Sequence, residues 1–404
     1  MKSYKIQGVS LVLSAVLLGA CSAVTGAPAK GSEDSVDQED QEAMKAIGRK
    51  VPGLIVWSSS RLGNHDLFTM NTDGSNVKQI TKGDEVDWFS RFSPDGSKIL
   101  FTRSKKGWVS ERDSTDAEKW DIYTVKPDGS NPTKVVDSAS WGSWVSNDEI
   151  VFVRRTKILR TKLGSGKEVE LMDSTGISEL DGADLQQPEL SHDGKYIAIT
   201  LRGSKRETGI WDLGKKTWTQ TGLGCQINWS PDGNTIYWMN PTGNGGSEVF
   251  RMPIKDGKPT KEFDDDELRF MDLPGRRSHE YFPQLSADGK WMVWGITQRG
   301  HDHDIVDYEI YLWEVGTPKE SAVRLTHHSG NDRWPDIFIP SAVAKTESPA
   351  VAAAPAGAPV SAPAASAVAA AAPASAKTVA AAKPADAEPA AKPAKHAKKG
   401  KKAK

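Results

Sequence analysis

Histidine and acidic side chains are concentrated in two short segments near residue 300. The first segment is Arg276-Arg277-Ser278-His279-Glu280-Tyr281, and the second is Gly300-His301-Asp302-His303-Asp304. Imidazole groups bind divalent metals such as zinc, nickel, copper or manganese, so His279, His301 and His303 are candidate metal ligands. A charged loop of this kind is also typical of a solvated turn held by its own side-chain hydrogen bonds. The residues alone leave both interpretations open, and no other cofactor is indicated.

Motifs for other kinds of catalysis are absent from the sequence. It contains no Gly-x-Ser-x-Gly nucleophile elbow, no phosphate-binding glycine-rich loop and no paired-cysteine zinc motif. Cys225 has no histidine nearby in sequence to activate it, which favours the role of a small buried hydrophobic residue. We therefore predict no catalytic residues and a protein that is not an enzyme.

A repeated segment defines the elements that must position these residues. It occurs as FSPDGSKILF at 92–101, WVSNDEIVFV at 144–153, ELSHDGKYIAI at 189–199, NWSPDGNTIYW at 228–238 and QLSADGKWMVW at 284–294. Ser-Pro-Asp-Gly favours a tight turn, because Pro presets φ, Asp bonds to the following backbone and Gly accepts positive φ. The β-branched and aromatic residues on either side predict two strands.

A second pair of strands follows each copy of the repeat, so that each unit contains four antiparallel strands, as in a propeller blade. Five complete units begin near residues 91, 143, 188, 227 and 283. The residues before them supply three strands of a sixth unit, and 333–338 supplies a lone strand. Pairing the two chain ends removes an exposed sheet edge. The sequence therefore predicts an all-β, six-bladed β-propeller closed by a C-terminal strand that completes the N-terminal blade.

The repeat resembles the WD-like repeat of TolB-type six-bladed β-propellers. Phe92-Ser93-Pro94-Asp95-Gly96, Asp121-Ile122-Tyr123 and Asp128-Gly129 carry the resemblance, together with their counterparts over residues 53–340. The resemblance implies a non-enzymatic protein that binds another protein or a peptide in the bacterial cell envelope.

The N-terminal segment is predicted to direct export. Lys2 and Lys5 precede an apolar run from Val9 to Leu18, which is too short to cross a bilayer. Leu18-Gly19-Ala20-Cys21 resembles a bacterial lipobox, which implies cleavage before Cys21 and acylation of its thiol. Several acyl chains on one residue anchor a protein stably. The alternative is an ordinary secretory signal with an incidental cysteine, whereas Ser22 after the cysteine favours the outer membrane, facing the periplasm.

Four regions follow from this organisation. They are a lipoprotein signal peptide at 1–20, a flexible tether at 21–52, the propeller at 53–340 and a disordered Ala/Pro/Lys-rich tail at 341–404. The tail holds ten lysines against three acidic residues, so a basic tail follows an acidic body. Such a tail favours contact with an anionic cell-wall polymer or lipid headgroups, or serves as a spacer. Nucleic acid is not an expected partner, because an exported chain seldom meets it.

The order of strands also assigns loops to the two faces of the propeller. The Asp-Gly turns lie on one face, which we call the turn face, and the longer loops lie on the other, the loop face, where function is expected. Candidate binding residues on the loop face are Arg61, His65, Arg276, His279, Glu280, Asp304 and Arg333. The leading hypothesis is a scaffold that binds a protein or peptide there. The alternatives are a metal-assisted lyase or hydrolase of envelope polysaccharide, and a structural spacer held at the cell wall by the tail.

Overall fold

The computed structural model describes residues 30–242, 246–275, 279–298 and 300–343. The signal segment, Cys21, Arg276 and the tail beyond residue 343 lie outside the described residues. The described helices are α1 (Gln38–Lys50) and α2 (Pro340–Val343) and five short 3-10 helices, Glu111–Asp113, Ala117–Lys119, Ser178–Leu180, Asp266–Leu268 and Lys319–Ser321. None of the described helices is both long enough and apolar enough to cross a membrane.

Twenty-five strands in the described residues build six blades. Blade 1 begins with β1 (Leu54–Ser59), β2 (Asp66–Asn71) and β3 (Lys78–Gln79). Blade 2 contains β4 (Asp87–Phe92), β5 (Ile99–Ser104), β6 (Trp120–Val125) and β7 (Thr133–Val136). Blade 3 contains β8 (Ser140–Ser146), β9 (Glu149–Arg154), β10 (Lys157–Lys162) and β11 (Glu168–Asp173). Blade 4 contains β12 (Ala183–Leu190), β13 (Tyr196–Gly203), β14 (Glu207–Asp212) and β15 (Thr217–Leu223).

Blades 5 and 6 follow the same plan. Blade 5 contains β16 (Cys225–Trp229), β17 (Thr235–Pro241), β18 (Ser247–Lys255) and the two short strands β19 (Lys258–Pro259) and β20 (Arg269–Met271), which both pair with β18. Blade 6 contains β21 (His279–Leu285), β22 (Trp291–Thr297), β23 (Glu309–Glu314) and β24 (Val323–Arg324). A single parallel pairing between Ser247 and His279 joins the two blades into one sheet.

The predicted ring closure is confirmed. The last strand, β25 (Asp332–Phe338), pairs antiparallel with β1, so that blade 1 has the strand order β25-β1-β2-β3. Leu54 lies opposite Phe338 at the turn face, and Ser59 lies opposite Asp332 at the loop face. Blade 1 is therefore built from both ends of the domain, and β1 is paired on both of its sides.

The core lies between neighbouring blades, because each blade packs against another on both of its sides. Many strands are therefore buried along their whole length, as in β22, and do not alternate between apolar and polar residues. Large aromatic side chains fill these spaces, and Trp57, Trp88, Trp238 and Trp294 are completely buried. This packing holds the inner strands, and the loops that they carry, in fixed positions.

Residues 30–52, which belong to the flexible tether suggested by the sequence, include a helix that packs against the propeller. Within 30–52, Asp37 caps α1 by accepting a hydrogen bond from the Asp40 N–H, and α1 packs on the outside of the propeller. Ile47 and Val51 are buried in a cluster with Ile55, Leu325 and other residues of blades 1 and 6. Burial of this apolar face explains why the segment is fixed against the propeller and is not extended away from it.

Candidate binding site at the loop face

Every inner strand carries one residue with positive φ at the same place in its blade. These residues are Phe89, Trp141, Gln187, Gln226, Phe282 and Trp334, with φ between 52° and 60°. The pairing register shifts at each of these positions, which is the signature of a β-bulge. A bulge re-aims a side chain, and here six of them form a ring around the propeller axis.

Four aromatic members of this ring pack against one another. The ring centroids of Phe282 and Trp334 lie 4.4 Å apart, those of Phe89 and Trp141 4.9 Å, and those of Phe89 and Trp334 5.1 Å. The other two members, Gln187 and Gln226, are polar. Gln226 Oε1 accepts a 2.6 Å hydrogen bond from the Phe282 N–H. The aromatic side chains therefore form a packed layer across one side of the axial channel.

Sequence reasoning missed this ring, although a signal was present. In blades 2, 4, 5 and 6 the ring residue stands six positions before the turn aspartate, as Phe89 does before Asp95. The spacing becomes informative only when the repeats are aligned and the bulge is known. Neither its positive φ nor the direction of its side chain can be read from the residue type.

A cavity of about 770 Å³ opens at the loop face above the ring. Trp141, Gln187 and Gln226 line it from the ring, and loops of blades 2, 4, 5 and 6 form its walls. Leu223, Met239 and Pro241 form an apolar part of the lining, and charged side chains, among them Arg112, Arg202 and Arg206, also line the cavity. Its size and mixed lining are those of a site that binds a small molecule or a segment of polypeptide.

A buried ionic network fixes the loops beside this cavity. Arg333 is completely buried, and its Nη1 donates to Glu111 Oε2 and Asp304 Oδ1, each at 3.0 Å. Glu111 also accepts from Trp334 Nε1 at 2.8 Å and lies 2.7 Å from His303 Nδ1. The network joins loops of blades 2 and 6 to the closing strand, so it determines the shape of the cavity wall.

Burial and charge set the protonation of the groups around Arg333. Desolvation, and then the nearby Arg333 guanidinium, lower the pKa of His65 to about 3, so its imidazole is neutral. Burial alone would raise the pKa of Asp304, but Arg333 and bonds from Ser110 and the Glu111 N–H hold it below its usual value. A neutral His65 lies 3.0 Å from the Asp304 carbonyl oxygen and adds no charge to the network.

Arg61 belongs to a second buried cluster at the ring closure. Its Nη2 donates to Asp332 Oδ2 at 3.0 Å, and its guanidinium lies 5.2 Å from the ring centroid of Trp57. Asp332 also accepts from Trp57 Nε1 at 3.0 Å. The expected binding residues Arg61, His65, Asp304 and Arg333 are thus buried and bonded within the protein, and of these four Asp304 alone also lines the cavity.

His279 and Glu280 begin β21 and lie in the sheet. Glu280 is buried, accepts a 2.8 Å bond from the Leu273 N–H and has its pKa raised to about 8, mainly by desolvation. It is therefore mostly protonated at neutral pH. His279 is half-buried and pairs with Thr297 in the sheet. Arg276, the remaining candidate, lies outside the described residues.

The three histidines proposed as metal ligands do not converge. Among the described residues, no group of three His, Cys, Asp or Glu side chains is placed to hold a metal ion. His303 points to Glu111 and packs against Phe282, with ring centroids 4.8 Å apart. Asp302 forms an ion pair with Arg112, so Asp302 and His303, which are adjacent in the sequence, have different partners. His303 and the cluster around it complete the cavity wall.

Two arginines on the rim of the cavity were not singled out from the sequence. Arg202 donates to the Gly224 carbonyl oxygen at 2.8 Å, next to Cys225, whose pKa is raised by burial. Arg206 is exposed and forms no ion pair with any described residue. Burial, and then the charges of His303 and Arg206, lower the pKa of His301. The rim beside blade 4 therefore offers positive charge to a bound group.

These features define a class of protein: a TolB-like six-bladed β-propeller with a cavity at its loop face. TolB from Acinetobacter baumannii has a similar structure, with a TM-score of 0.50 and 14% identity over 70% of this chain and 66% of that chain. The putative TolB from Agrobacterium tumefaciens has a TM-score of 0.45 and 14% identity over 70% of this chain and 98% of that chain. At 14% identity, the likeness to the Acinetobacter baumannii protein concerns the fold alone.

Sequence comparison adds a more limited likeness. The uncharacterized protein Atu1656 of Agrobacterium fabrum is 27% identical over 146 residues, which are 33% of this chain and 46% of that protein. The chain thus spans less than half of this curated relative. No family model matches the chain.

Proposed function

We propose that this protein is a non-enzymatic scaffold of the bacterial cell envelope that binds a protein or peptide in the loop-face cavity. The observation that carries the proposal is a cavity of about 770 Å³ that is lined by both apolar and charged side chains, has the exposed Arg206 on its rim and has walls fixed by buried ion pairs. A preformed site avoids the ordering cost that a flexible loop would incur on binding.

The arrangement favours binding over catalysis. Glu111 and His303 are in contact, as an acid–base pair would be, but Glu111 also serves Arg333 and Trp334 in a buried network. These bonds indicate that Glu111 holds the cavity wall in place. The polysaccharide lyase or hydrolase suggested by the histidines also loses its main argument, since the described residues do not assemble its metal site.

Location in the envelope rests on the sequence. The apolar segment before Cys21 and the small residues beside it support export and acylation at that cysteine, with the outer membrane as the destination. The basic tail supports an additional contact with an anionic cell-wall polymer. These parts of the proposal are independent of the cavity and are tested separately, by acyl labelling of wild type and Cys21→Ser and by removal of residues 395–404.

Site-specific photocrosslinking in intact cells tests binding at the cavity. A photoreactive amino acid replaces Arg206 on the rim in one variant and Lys126 on the turn face in another; both side chains are exposed. We expect a discrete protein adduct from position 206 and none from position 126. Adducts at 126 alone, or none at 206 when the protein is folded and exported, would contradict the proposal.

A charge variant provides the matched control. Arg206→Glu reverses the rim charge without breaking an ion pair to any described residue, and Lys126→Glu makes the same change on the turn face. We expect the first variant to lose the partner captured by a crosslinker at position 242 on the cavity wall. The second should retain it, and both should unfold at the wild-type temperature.

A further inference from the structure

The chain enters the propeller at the rim of the loop face. Residues 30–34, which we call the strap, run beside the loop that connects blade 6 to β25. The Ser32 N–H donates to Ser329 Oγ at 2.8 Å, the Ser329 N–H donates to the Ser32 carbonyl at 2.9 Å, and the Asp34 N–H donates to the His327 carbonyl at 2.9 Å. These bonds hold the strap at the junction of blades 6 and 1.

The strap fits closely against this junction. A Cβ atom added to Gly31 would lie 2.4 Å from His328 Cε1 and 2.6 Å from the Gly330 nitrogen. Gly330 is in turn so close to Arg61 that a Cβ atom added to it would lie 2.9 Å from the Arg61 Cα. Gly330 is therefore close to the start of the strap and also to the backbone of the loop that carries Arg61 and Leu62.

The proposed lipid anchor is close to this point along the chain. Cys21 precedes Lys30 by nine residues, and nine residues span at most about 30 Å even when fully extended. The other end of the propeller lies on the opposite face, since Phe338 pairs with Leu54 at the turn face, where α2 follows. Acylation at Cys21 would thus hold the lipid within about 30 Å of the strap at the loop face, whereas α2, which leads into the tail, follows the turn-face end of β25.

Two exposed apolar side chains lie on loops beside the strap. Leu62 is 48% exposed and Ile305 is 51% exposed, and the loops that carry them are joined by the contact between His65 Nε2 and the Asp304 carbonyl. The acidic residues Asp84 and Glu85 lie near the first loop, because Asn64 donates to the Gly83 carbonyl. Apolar tips flanked by acids suit the neutral headgroup region of a bilayer more than an anionic surface.

We infer that the loop face of blades 6 and 1 is the membrane-proximal surface of the anchored protein, and that Leu62 and Ile305 contact the lipid headgroup region. This inference rests on the acylation included in the proposed function. It places the cavity within reach of a partner close to the membrane, whereas the tail starts on the face turned away from it.

Fluorescence quenching by lipid tests the orientation. The full acylated chain, with a fluorescent amino acid at Leu62, Ile305, Val77 or Val169, is incorporated into phosphatidylcholine vesicles that carry a nitroxide on the headgroup. Val77 on the turn face and Val169 on an outer strand are matched controls, since they are 46% and 58% exposed. We expect strong quenching at positions 62 and 305 and little or no quenching at positions 77 and 169. Adding anionic lipid should not increase it.

The outcomes separate this inference from its premise. Protein that binds the vesicles but shows equal quenching at all four positions, or stronger quenching at 77, would overturn the orientation and leave the anchor intact. Wild type that does not bind vesicles, like Cys21→Ser, would refute the anchor and the orientation together.

Two further variants test whether the strap orients the propeller. Gly31→Val should displace the strap, because its side chain cannot fit against His328, and should abolish the preference for positions 62 and 305. A flexible insertion between residues 25 and 26 should weaken the quenching in the same way. Unchanged quenching in both variants would show that the strap does not orient the propeller.

Discussion

The turn face and the loop face of this propeller are held together by different kinds of contact. On the turn face the same short-range bond recurs: Ser93 Oγ donates to Asp95, Ser191 Oγ to Asp193 and Ser286 Oγ to Asp288, at 2.7 to 2.8 Å. Each bond joins residues two positions apart. The individual turns of this face are therefore shaped by local physical chemistry that is repeated with the sequence motif.

The loop face depends on contacts between distant parts of the chain. Arg333 is separated by 222 residues from Glu111, and Ser110 is separated by 194 residues from Asp304. Most of these charges are buried, where the loss of a partner is costly. The geometry shared by the repeated turns thus comes from contacts between residues close in the sequence. The geometry of the site comes from contacts between residues far apart in the sequence.

The largest expected effect comes from removing the central cation of the loop face. Arg333→Met leaves the buried carboxylates of Glu111 and Asp304 without their shared partner, and we expect it to lower the free energy of unfolding by about 3–5 kcal/mol. Urea denaturation measures the change. Lys195→Met, which removes an exposed ion pair with Asp193, is the turn-face control and should have no measurable effect. Equal effects would remove the distinction between the faces.

A pair of glycine substitutions tests whether every turn is equivalent. Gly96 and Gly194 have φ of 69° and 70°, but an added Cβ at Gly96 would lie 2.3 Å from the Phe338 ring, whereas Gly194 has open space. We expect Gly194→Ala to cost about 1 kcal/mol for positive φ, and Gly96→Ala roughly 3 kcal/mol because Phe338 must also move. Thermal unfolding measures both, and equal losses would show that the closing strand does not constrain the turn.

Glu280 predicts a pH dependence that arises at the loop face. Its pKa rises from 4.5 to about 8 in the folded protein, so its contribution to stability is full below pH 4.5 and is lost as the pH rises through 8. Glu280→Gln cannot ionise and should be more stable than wild type by a few kcal/mol at pH 9, with no such advantage at pH 4. Denaturation at several pH values measures this, and a constant difference would mean that Glu280 is ionised in the fold.

The smallest expected effect concerns one repeated turn bond. Asp193→Ala removes the acceptor for the Ser191 hydroxyl and the Lys195 N–H, which should cost about 1 kcal/mol. Asp193→Asn retains an acceptor oxygen and should recover most of the stability. Urea denaturation compares the two variants. A loss as large as that of Arg333→Met would indicate that the turn face also depends on long-range contacts.

Much of the fold could be predicted because its evidence is local and repeated. The turn residues Pro94, Asp95 and Gly96 identify a strand–turn–strand unit, and the unpaired strand near Trp334 identifies the ring closure. The site could be predicted only in part. The loop that carries His301 and His303 does line the cavity, but its side chains bind Glu111 and other distant residues and do not form a metal group with His279.

Burial explains the rest of the difference. Arg61, His65, Glu280 and Arg333 are polar residues in predicted loops or at strand ends, and so they appeared to be surface residues available to a ligand. The structure buries all four, because the inner strands and loops of neighbouring blades converge around the propeller axis. Arg202 is half-buried near the end of β13, and the exposed Arg206 follows that strand, so neither stood in a pattern by which to recognise it.

The sequence by itself determined the blade unit, the number of blades, the closing strand and the face on which each loop lies. These properties depend on turn chemistry and strand periodicity, which act over a few residues and are repeated along the chain. Only the tertiary structure decided which loop residues are buried, which six side chains ring the axis and where the strap enters. Those properties depend on blades brought together by ring closure, and therefore on contacts between residues hundreds of positions apart.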